Sequence, residues 1–360
     1  MKQPTDPHSL SRRAWLLSMS GLPLLGAAEP QNISFPLQQV QGTITPAEFF
    51  FVRDHFSEPE MSLGAWRLRV EGRVARPCEL TFSDLLESPT RKLEAVLECA
   101  GNVASGAAVS NGVWEGVSMP HLLEQAGPAA EATHVVLEGA DSGRLLNKQS
   151  PVLPYAQLLP LSKCLAPESL VAFKVNDRFL PRHNGFPARA LLPSWYGMDS
   201  VKWLRRMVVI SAADQPAGFR ESGMNQLYNR TLKNAGGEKT VTRLSVVQVK
   251  SAIAWPADGA RLPAGVHAVW GFAWTGAGAI RRVELSADAG HTWSDAKLES
   301  PPKPLTWVRW SFRWQAPPGE HVLMSRAADQ AGHQQPLRRD PAREDGYELN
   351  YCAPLRCSVK

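Results

Sequence analysis

Two textures of hydrophobic and polar positions follow one another along the chain. From about residue 46 to 215, short apolar runs of differing period are mixed. WRLRVEG and THVVLEGA predict strands, whereas SMPHLLEQAG and PYAQLL predict short helices. VAFKVNDRFLPRHNGFPARALLP predicts strand, turn and strand, with NDR and HNG as turn chemistry. No G-x-G-x-x-G or Walker loop opens a helix, so a simple dinucleotide or nucleotide fold is not signalled. This mixture predicts an α+β domain. Residues 216 to 243, around QPAGFRESGMNQLYNRTLKNAGGEKT, are polar and glycine-rich, which predicts a long irregular connection of functional character. Beyond it SVVQVKSAI, HAVWGFAW, RRVELSAD, WVRWSFRW and HVLMSRAAD recur at short spacing, separated by turns such as SADAGHTW and APPGE. That rhythm predicts an all-β, immunoglobulin-like sandwich with Trp270, Trp274 and Trp293 in its core.

Composition narrows the class. The 360 residues suffice for two cores, and 44% hydrophobic with 20% charged content describes a soluble globular protein. The net charge of +5 is spread without a long basic run, which argues against a nucleic-acid footprint. It still favours steering of anionic substrates or an acidic partner.

At the N-terminus, SRRAWLLSM sets Arg12 and Arg13 before an apolar stretch that ends in small residues. This predicts a twin-arginine signal peptide over residues 1–28 and a periplasmic protein, a Sec-type signal or frayed tail being the competing reading. The stretch is too short and too interrupted for a comfortable membrane span, and no later segment has the length for one. The expected domains are residues 29–243 and 244–360. Five cysteines occur. An oxidising compartment would permit Cys352–Cys357 and Cys78–Cys164 disulfides, leaving Cys99 over. No C-x-x-C-H is present, so no c-type haem is attached covalently to this chain.

The candidate chemistry centres on LECAGN, residues 97 to 102, where Cys99 precedes a turn-prone Ala-Gly-Asn. A buried structural thiol is one reading, and a soft thiolate presented to a metal is the other. No H-E-x-x-H or C-x-x-C supplies further ligands, so a conventional zinc site is disfavoured, and a single sulfur suffices only for a metal already held by an organic cofactor. FFFVRDH places Arg53 and His55 after an aromatic run, and HNGFPARALLPSWYGMDSVKWLRR carries Arg189 and Lys202.

In this order, FFFVRDH, LECAGN and HNGFPARALLPSWYGMDSVKWLRR resemble the sulfite oxidase family of molybdenum enzymes, and VELSADAGHTW and WVRWSFRW resemble its dimerisation domain. The resemblance runs from about residue 43 to 340. It implies molybdopterin as cofactor, with Cys99 as the one protein ligand to the metal and no haem in this chain. It implies a pterin site lined by His55, Asp141, Ser150, Asn184, Arg189, Ser200 and Lys202. Arg189 offers a fork suited to phosphate and Lys202 a point charge. The plain alternatives are surface cations for Arg189 and Lys202 and ordinary turn residues for Asp141 and Ser150. For the substrate side it implies Arg53, Tyr228 and Arg309, against the readings of Tyr228 as a loop anchor and Arg309 as a solvent-facing strand residue.

The implied reaction is oxygen-atom transfer to sulfite or a related sulfur compound. A separate c-type cytochrome would be the acceptor, and the protein a homodimer. Two departures stand out. Relatives that oxidise sulfite commonly carry an arginine shortly after CAGN, where this chain has Val103 and Ala104, and HNG replaces the frequent DHG at Asn184. Losing one charge-assisted contact to an oxyanion costs about 1.5–3 kcal/mol, so the first departure admits another sulfur species, including a carrier-bound one. Reduction of sulfoxide-type substrates and a non-catalytic secreted binding module are the remaining alternatives.

Overall fold

The strands form where the sequence places β-branched and leucine-rich runs, and their pairing decides which runs face the core. A computed structural model describes residues 30–145, 149–214 and 227–360. The expected signal peptide lies outside the described residues.

In the first sheet the strand order is Cys78–Leu80, Leu68–Gly72, Leu204–Ser211, Ala132–Arg144 and Val152–Pro160. Leu68–Gly72 and Leu204–Ser211 run parallel, and the other pairs are antiparallel. Leu68, Val70, Val135, Leu137, Met207 and Val209 are wholly buried, so alternation along each strand turns one row of side chains into core. PYAQLL, expected as helix, is the interior of the strand Val152–Pro160. A short contiguous apolar run carries no period that separates helix from strand, and its pairing with Ala132–Arg144 settled the matter. The helix follows immediately, at Leu161–Cys164.

The second sheet is built on the long antiparallel pair Thr90–Glu98 and Val109–Ser118, extended by Leu170–Val175, which carries both Arg178–Phe179 and Arg189–Leu191. The NDR turn forms as expected, with Asn176 and Asp177 at φ 51° and 62°, the left-handed region that these residues tolerate. Helix Met119–Ala126 also forms as expected. It buries Met119, Leu122, Leu123 and Ala126 on one stripe and stops at Gly127, φ 69°. Helix Phe82–Glu87 is opened by a Thr81–Asp84 capping box. Among the described residues the α-helices are few and short, so this part of the chain is more strongly β than an α+β label suggests.

The connection expected to be irregular is partly ordered. Asn229–Lys233 and Lys239–Arg243 pair as a hairpin, and residues 215–226 lie outside the described set. A two-sheet sandwich follows. One sheet has the order Lys250–Trp255, Gly265–Trp274, Val308–Ala316, Lys297–Leu298. The other has Ala260–Leu262, Leu355–Val359, Gly319–Asp329, Ile280–Ser286, Ser294–Asp295. Trp310 and Trp314 belong to its core. Trp270 and Trp293, expected there, are half-buried beneath the guanidinium groups of Arg309 and Arg326. Trp274 is buried elsewhere, in the junction between sandwich and N-terminal sheets. All five cysteines are free thiols. Cys164 and Cys357 are absorbed into separate apolar cores, and Cys78 lies exposed on a short strand, so burial rather than cross-linking accounts for the buried ones. No helix among the described residues is long and apolar enough to cross a membrane.

The junction contains Val96, Ala100, Val109, Tyr196, Met198, Ala252, Phe272 and Trp274 in one apolar cluster. At its centre lies Glu98, 1% exposed. Its carboxylate accepts from Lys250 Nζ (2.7 Å), Trp274 Nε1 (2.7 Å) and Asn102 Nδ2 (2.9 Å). Lys250 and Trp274 come from two paired sandwich strands, so this one carboxylate ties the sandwich to the cysteine loop. Truncating one member strands a buried charge, which costs about 3–5 kcal/mol, whereas removing both charges together costs much less. Denaturant unfolding should therefore show Lys250→Met to be severely destabilised and Glu98→Gln/Lys250→Met to recover most of the loss; additive losses would contradict a coupled pair.

Candidate active site

Cys99 stands one residue beyond the end of Thr90–Glu98, where the ladder to Val109–Ser118 stops. The loop it opens is closed by its own backbone. The Cys99 N–H donates to Ala108 O (3.0 Å), and the Asn102 N–H to Cys99 O (2.9 Å). The Asn102 side chain accepts from the Ala107 and Ala108 N–H groups at 2.9 and 2.8 Å. The thiol faces a cavity of about 260 Å³. Burial pushes it up, while the Gly101 N–H and the positive charge of Arg53 pull the other way and favour the thiolate.

The cavity gathers most of the residues singled out from the sequence. Arg53, His55, Cys99, Asp141, Asn184, Arg189, Ser200, Lys202 and Tyr228 all line it. They arrive from well-separated parts of the chain: the N-terminal arm, the cysteine loop, Ala132–Arg144, the turn Arg182–Asn184, Arg189–Leu191 and the approach to the hairpin. Two do not line it. Ser150 sits in the connection beyond the last strand pair, Arg144 with Val152, and its carbonyl accepts from Arg144. Arg309 lies on Val308–Ala316, where it stacks 4.3 Å from Trp270, donates to Gln41 O (2.8 Å) and faces Glu299 at 3.3 Å. Arg309, expected on the substrate side, thus lies outside this cavity, because the pleat of its strand turns it onto Trp270 and the N-terminal arm.

One end of the cavity is cationic and dry. Arg189 is 4% exposed and spends its donors on Asn184 O (3.1 Å) and Ser200 O (2.7 Å). No carboxylate pairs with it among the described residues, and burial lowers its pKa to about 10. Lys202 Nζ contacts Asp54 and donates to His183 O (2.9 Å). Burial pulls its pKa down while Asp54 holds it up. Ser200 Oγ accepts from the Leu192 N–H, which anchors the segment. Among the described residues two acceptors here have no partner, Asp141 Oδ1 and Asn184 Oδ1, both buried. Burial raises the Asp141 pKa to about 7, against the opposing pull of Lys202.

The other end is aromatic. Tyr228 Oη lies 3.4 Å from His55 Nδ1. Tyr155 donates to Met198 O (2.9 Å), and the His55 ring sits 5.9 Å from that of Tyr155. Burial pushes both tyrosine hydroxyls up and His55 down, so at neutral pH the hydroxyls keep their protons and the imidazole is uncharged. Arg53 is braced on Ile33 O (3.0 Å), Val52 O (2.9 Å) and Ser34 Oγ (2.7 Å), and no carboxylate pairs with it among the described residues.

Asp54, Tyr155, His183 and Tyr347 also line the cavity and were missed from the sequence. Asp54 and His183 sit inside motifs already singled out. Tyr155 was hidden by the helix assignment of PYAQLL. Nothing in the local sequence points to Tyr347.

The donor set has a definite chemical meaning. A single thiol cannot hold a metal alone, and no cluster of three or more His, Cys, Asp or Glu occurs among the described residues. A buried guanidinium without a carboxylate calls for an anion, and two orphaned acceptors call for N–H donors. The residues fit a group that carries its own metal ligands, a hydrogen-bonding heterocycle and a phosphate.

Comparison with known proteins agrees. Residues 55–217 match the oxidoreductase molybdopterin binding domain, and residues 239–342 match the Mo-co oxidoreductase dimerisation domain. This is the class of molybdopterin-dependent oxidoreductases. Sulfite oxidase of Gallus gallus is 30% identical over 339 residues, covering 87% of this chain and 72% of that protein. The mitochondrial sulfite oxidase of Mus musculus is 31% identical over 87% of this chain, which spans only 61% of that longer protein. The sulfane dehydrogenase SoxCD of Paracoccus pantotrophus has a crystal structure that superposes with a TM-score of 0.78 at 26% identity, over 99% of this chain and 92% of its own. The chain belongs to the sulfite oxidase family.

Asp141 yields a test of the site's electrostatics. Its folded-state pKa is raised, so between about pH 4 and about pH 7 the folded chain binds more protons than the unfolded one, and stability falls as pH rises through that window. In full-length chain prepared without cofactor, Asp141→Asn should lose that part of the slope and gain most above about pH 7. Urea unfolding across the window measures it; parallel curves for the two proteins would refute the assignment.

Proposed function

We propose that this protein is a molybdenum-dependent oxidoreductase that oxidises an anionic reduced sulfur compound, sulfite or a sulfane-type species, and passes the electrons to an external acceptor such as a separate c-type cytochrome. The supporting observation is the meeting of Cys99, Arg53 and Tyr228 in one cavity with Arg189, a buried guanidinium that no carboxylate pairs with among the described residues. Cys99 is the protein's ligand to the metal. His55, Asp141, Asn184, Arg189, Ser200 and Lys202 hold the pterin. Arg189 and Lys202 take its phosphate, and Asp141 Oδ1 and Asn184 Oδ1 accept from its N–H groups. When bound, molybdopterin supplies two-electron oxygen-atom-transfer chemistry.

The chain's own residues then handle the anion. Arg53, braced by two carbonyls and a hydroxyl, draws a negatively charged sulfur group toward the thiol end of the cavity. Tyr228, held protonated, donates a hydrogen bond to an oxygen placed there, and neutral His55 is the group it can exchange a proton with. Phe50, Phe51 and Tyr155 keep bulk water from the reacting groups.

A sulfane-type substrate has specific support. Val103 is 46% exposed and Ala104 5%, and neither lines the cavity. The segment that in sulfite-oxidising relatives commonly carries a further arginine therefore offers no cation here. A sulfane dehydrogenase is also among the structural neighbours. The domains of the working protein are residues 29–243 and 244–360. The second is an immunoglobulin-like unit that associates into a homodimer, and residues 1–28 direct twin-arginine export to the periplasm.

Steady-state turnover with sulfite, thiosulfate, a persulfide and an organic sulfoxide, using cytochrome c or a dye as acceptor, tests the reading. Acceptor reduction by one of the reduced sulfur anions is expected. Colourless, molybdenum-free protein, or sulfoxide reduction alone, would overturn it. Arg53→Met should raise KM for the anion by about ten- to a hundredfold, with a smaller effect on kcat. Cys99→Ser should abolish turnover, and full activity in that variant would remove the ligand assignment.

A further inference from the structure

Tyr347 lies past residue 342, where the match to the dimerisation domain ends, and yet it forms part of the cavity that holds Cys99. The segment around it is pinned on two sides. Toward the hairpin, the Thr231 N–H donates to Asp345 Oδ2 (2.9 Å), and Arg230 pairs with Glu348 at 2.7 Å. Toward the cysteine loop, the Glu348 N–H donates to Ala100 O (2.9 Å). Arg343 joins the two, gripping Asp345 at 2.6 and 2.8 Å and reaching Glu348 at 3.3 Å. Glu348 is itself 5% exposed, so this brace is an interior one. Its position turns the Tyr347 ring toward Tyr228, with centroids 5.7 Å apart and planes at 51°. A Cβ placed on Gly101 would sit 4.0 Å from both Cys99 Sγ and Tyr347 Cδ1, so the ring edge and the thiol flank the same small volume.

We propose that Tyr347 is a specificity-determining residue: with Tyr228 it forms a rigid two-ring wall that sets the width of the approach to Cys99, admitting small anionic sulfur end groups and rejecting branched or aromatic sulfur compounds. The substrate class in this statement rests on the proposed function, whereas the gating geometry does not. A tyrosine suits the task because its bulk is rigid and moves on only two torsions. The Glu348 brace denies the backbone the shift that would let a larger group pass.

Two measurements separate the parts. Full-length chain in a Cys78→Ser background, prepared without cofactor, is labelled with iodoacetamide or with the bulkier fluorescein maleimide, and modification of Cys99 is followed by peptide mass. Tyr347→Ala should accelerate the maleimide reaction by about ten-fold or more, the scale on which a pocket wall discriminates by size, and the iodoacetamide reaction much less. Tyr347→Phe should match the parent. No acceleration, equal acceleration of both reagents, or acceleration in Tyr347→Phe would overturn the proposal. In the holoenzyme, calorimetry should show benzenesulfonate binding about ten-fold tighter to Tyr347→Ala than to the parent, with sulfate unchanged; unchanged benzenesulfonate affinity would overturn it as well. Loaded enzyme that turns over none of the reduced sulfur anions would sink the functional reading while leaving the labelling result to stand by itself.

Discussion

The buried carboxylate of Glu98 is the constraint on which the arrangement depends. It is the last residue of a strand whose register is set by nine-residue pairing with Val109–Ser118, and it immediately precedes the residue that presents the thiol. In an apolar junction such a charge persists only when paired and hydrogen-bonded, and three donors from two parts of the molecule meet that demand. Because Lys250 and Trp274 belong to the sandwich, the seating of the sandwich and the conformation of the cysteine loop are one problem with one solution. Asn102 passes the constraint inward, since its amide both donates to Glu98 and accepts from the backbone that closes the loop.

The cavity beside that junction is organised as two electrostatically different ends joined at Cys99. Arg189, with no carboxylate partner among the described residues, and the Lys202–Asp54 pair beside it define one end in a desolvated setting, where a charge-assisted hydrogen bond is strongest. Protonated tyrosines and a neutral imidazole give the other end hydrogen-bond capacity with little net charge apart from Arg53. On the proposed function this contrast would sort an anionic cofactor by chemistry, with its phosphate among the cations and its reactive end beside the thiol and the aromatic wall. The buried oxygens of Asp141 and Asn184, without a hydrogen-bond partner among the described residues, are the cost of such preorganisation.

Much of the fold was legible because pattern and environment agreed. Ala132–Arg144, Gly265–Trp274 and Val308–Ala316 carry β-rich or alternating sequences and are strands, and the apolar stripe of Met119–Ala126 is a helix. PYAQLL failed because a short apolar run has no period, and only its neighbour at Ala132–Arg144 made it a strand. The hairpin within the polar connection has a different cause: Asn229–Lys233 is only half-buried and Lys239–Arg243 mostly exposed, so neither strand carries a hydrophobic signature. Trp274 was assigned to the sandwich core, and its strand is indeed there; which of two apolar cores receives its ring is a matter of domain packing.

The sequence by itself determined the local chemistry of this protein: a cysteine at a turn, an arginine and histidine after an aromatic run, a run of turns carrying cationic side chains, and two successive textures of strand. Short-range propensity and motif order are written in neighbouring residues, so they survive without coordinates. Only the tertiary structure decided which of those groups share a cavity. It left Ser150 and Arg309 outside the cavity, brought in Tyr155 and Tyr347, and gave Arg189 no carboxylate partner among the described residues. The physical reason is that a side chain's direction and its loss of solvent depend on pairing register and on packing between segments as far apart in sequence as Glu98 and Trp274. No window along the chain contains that information.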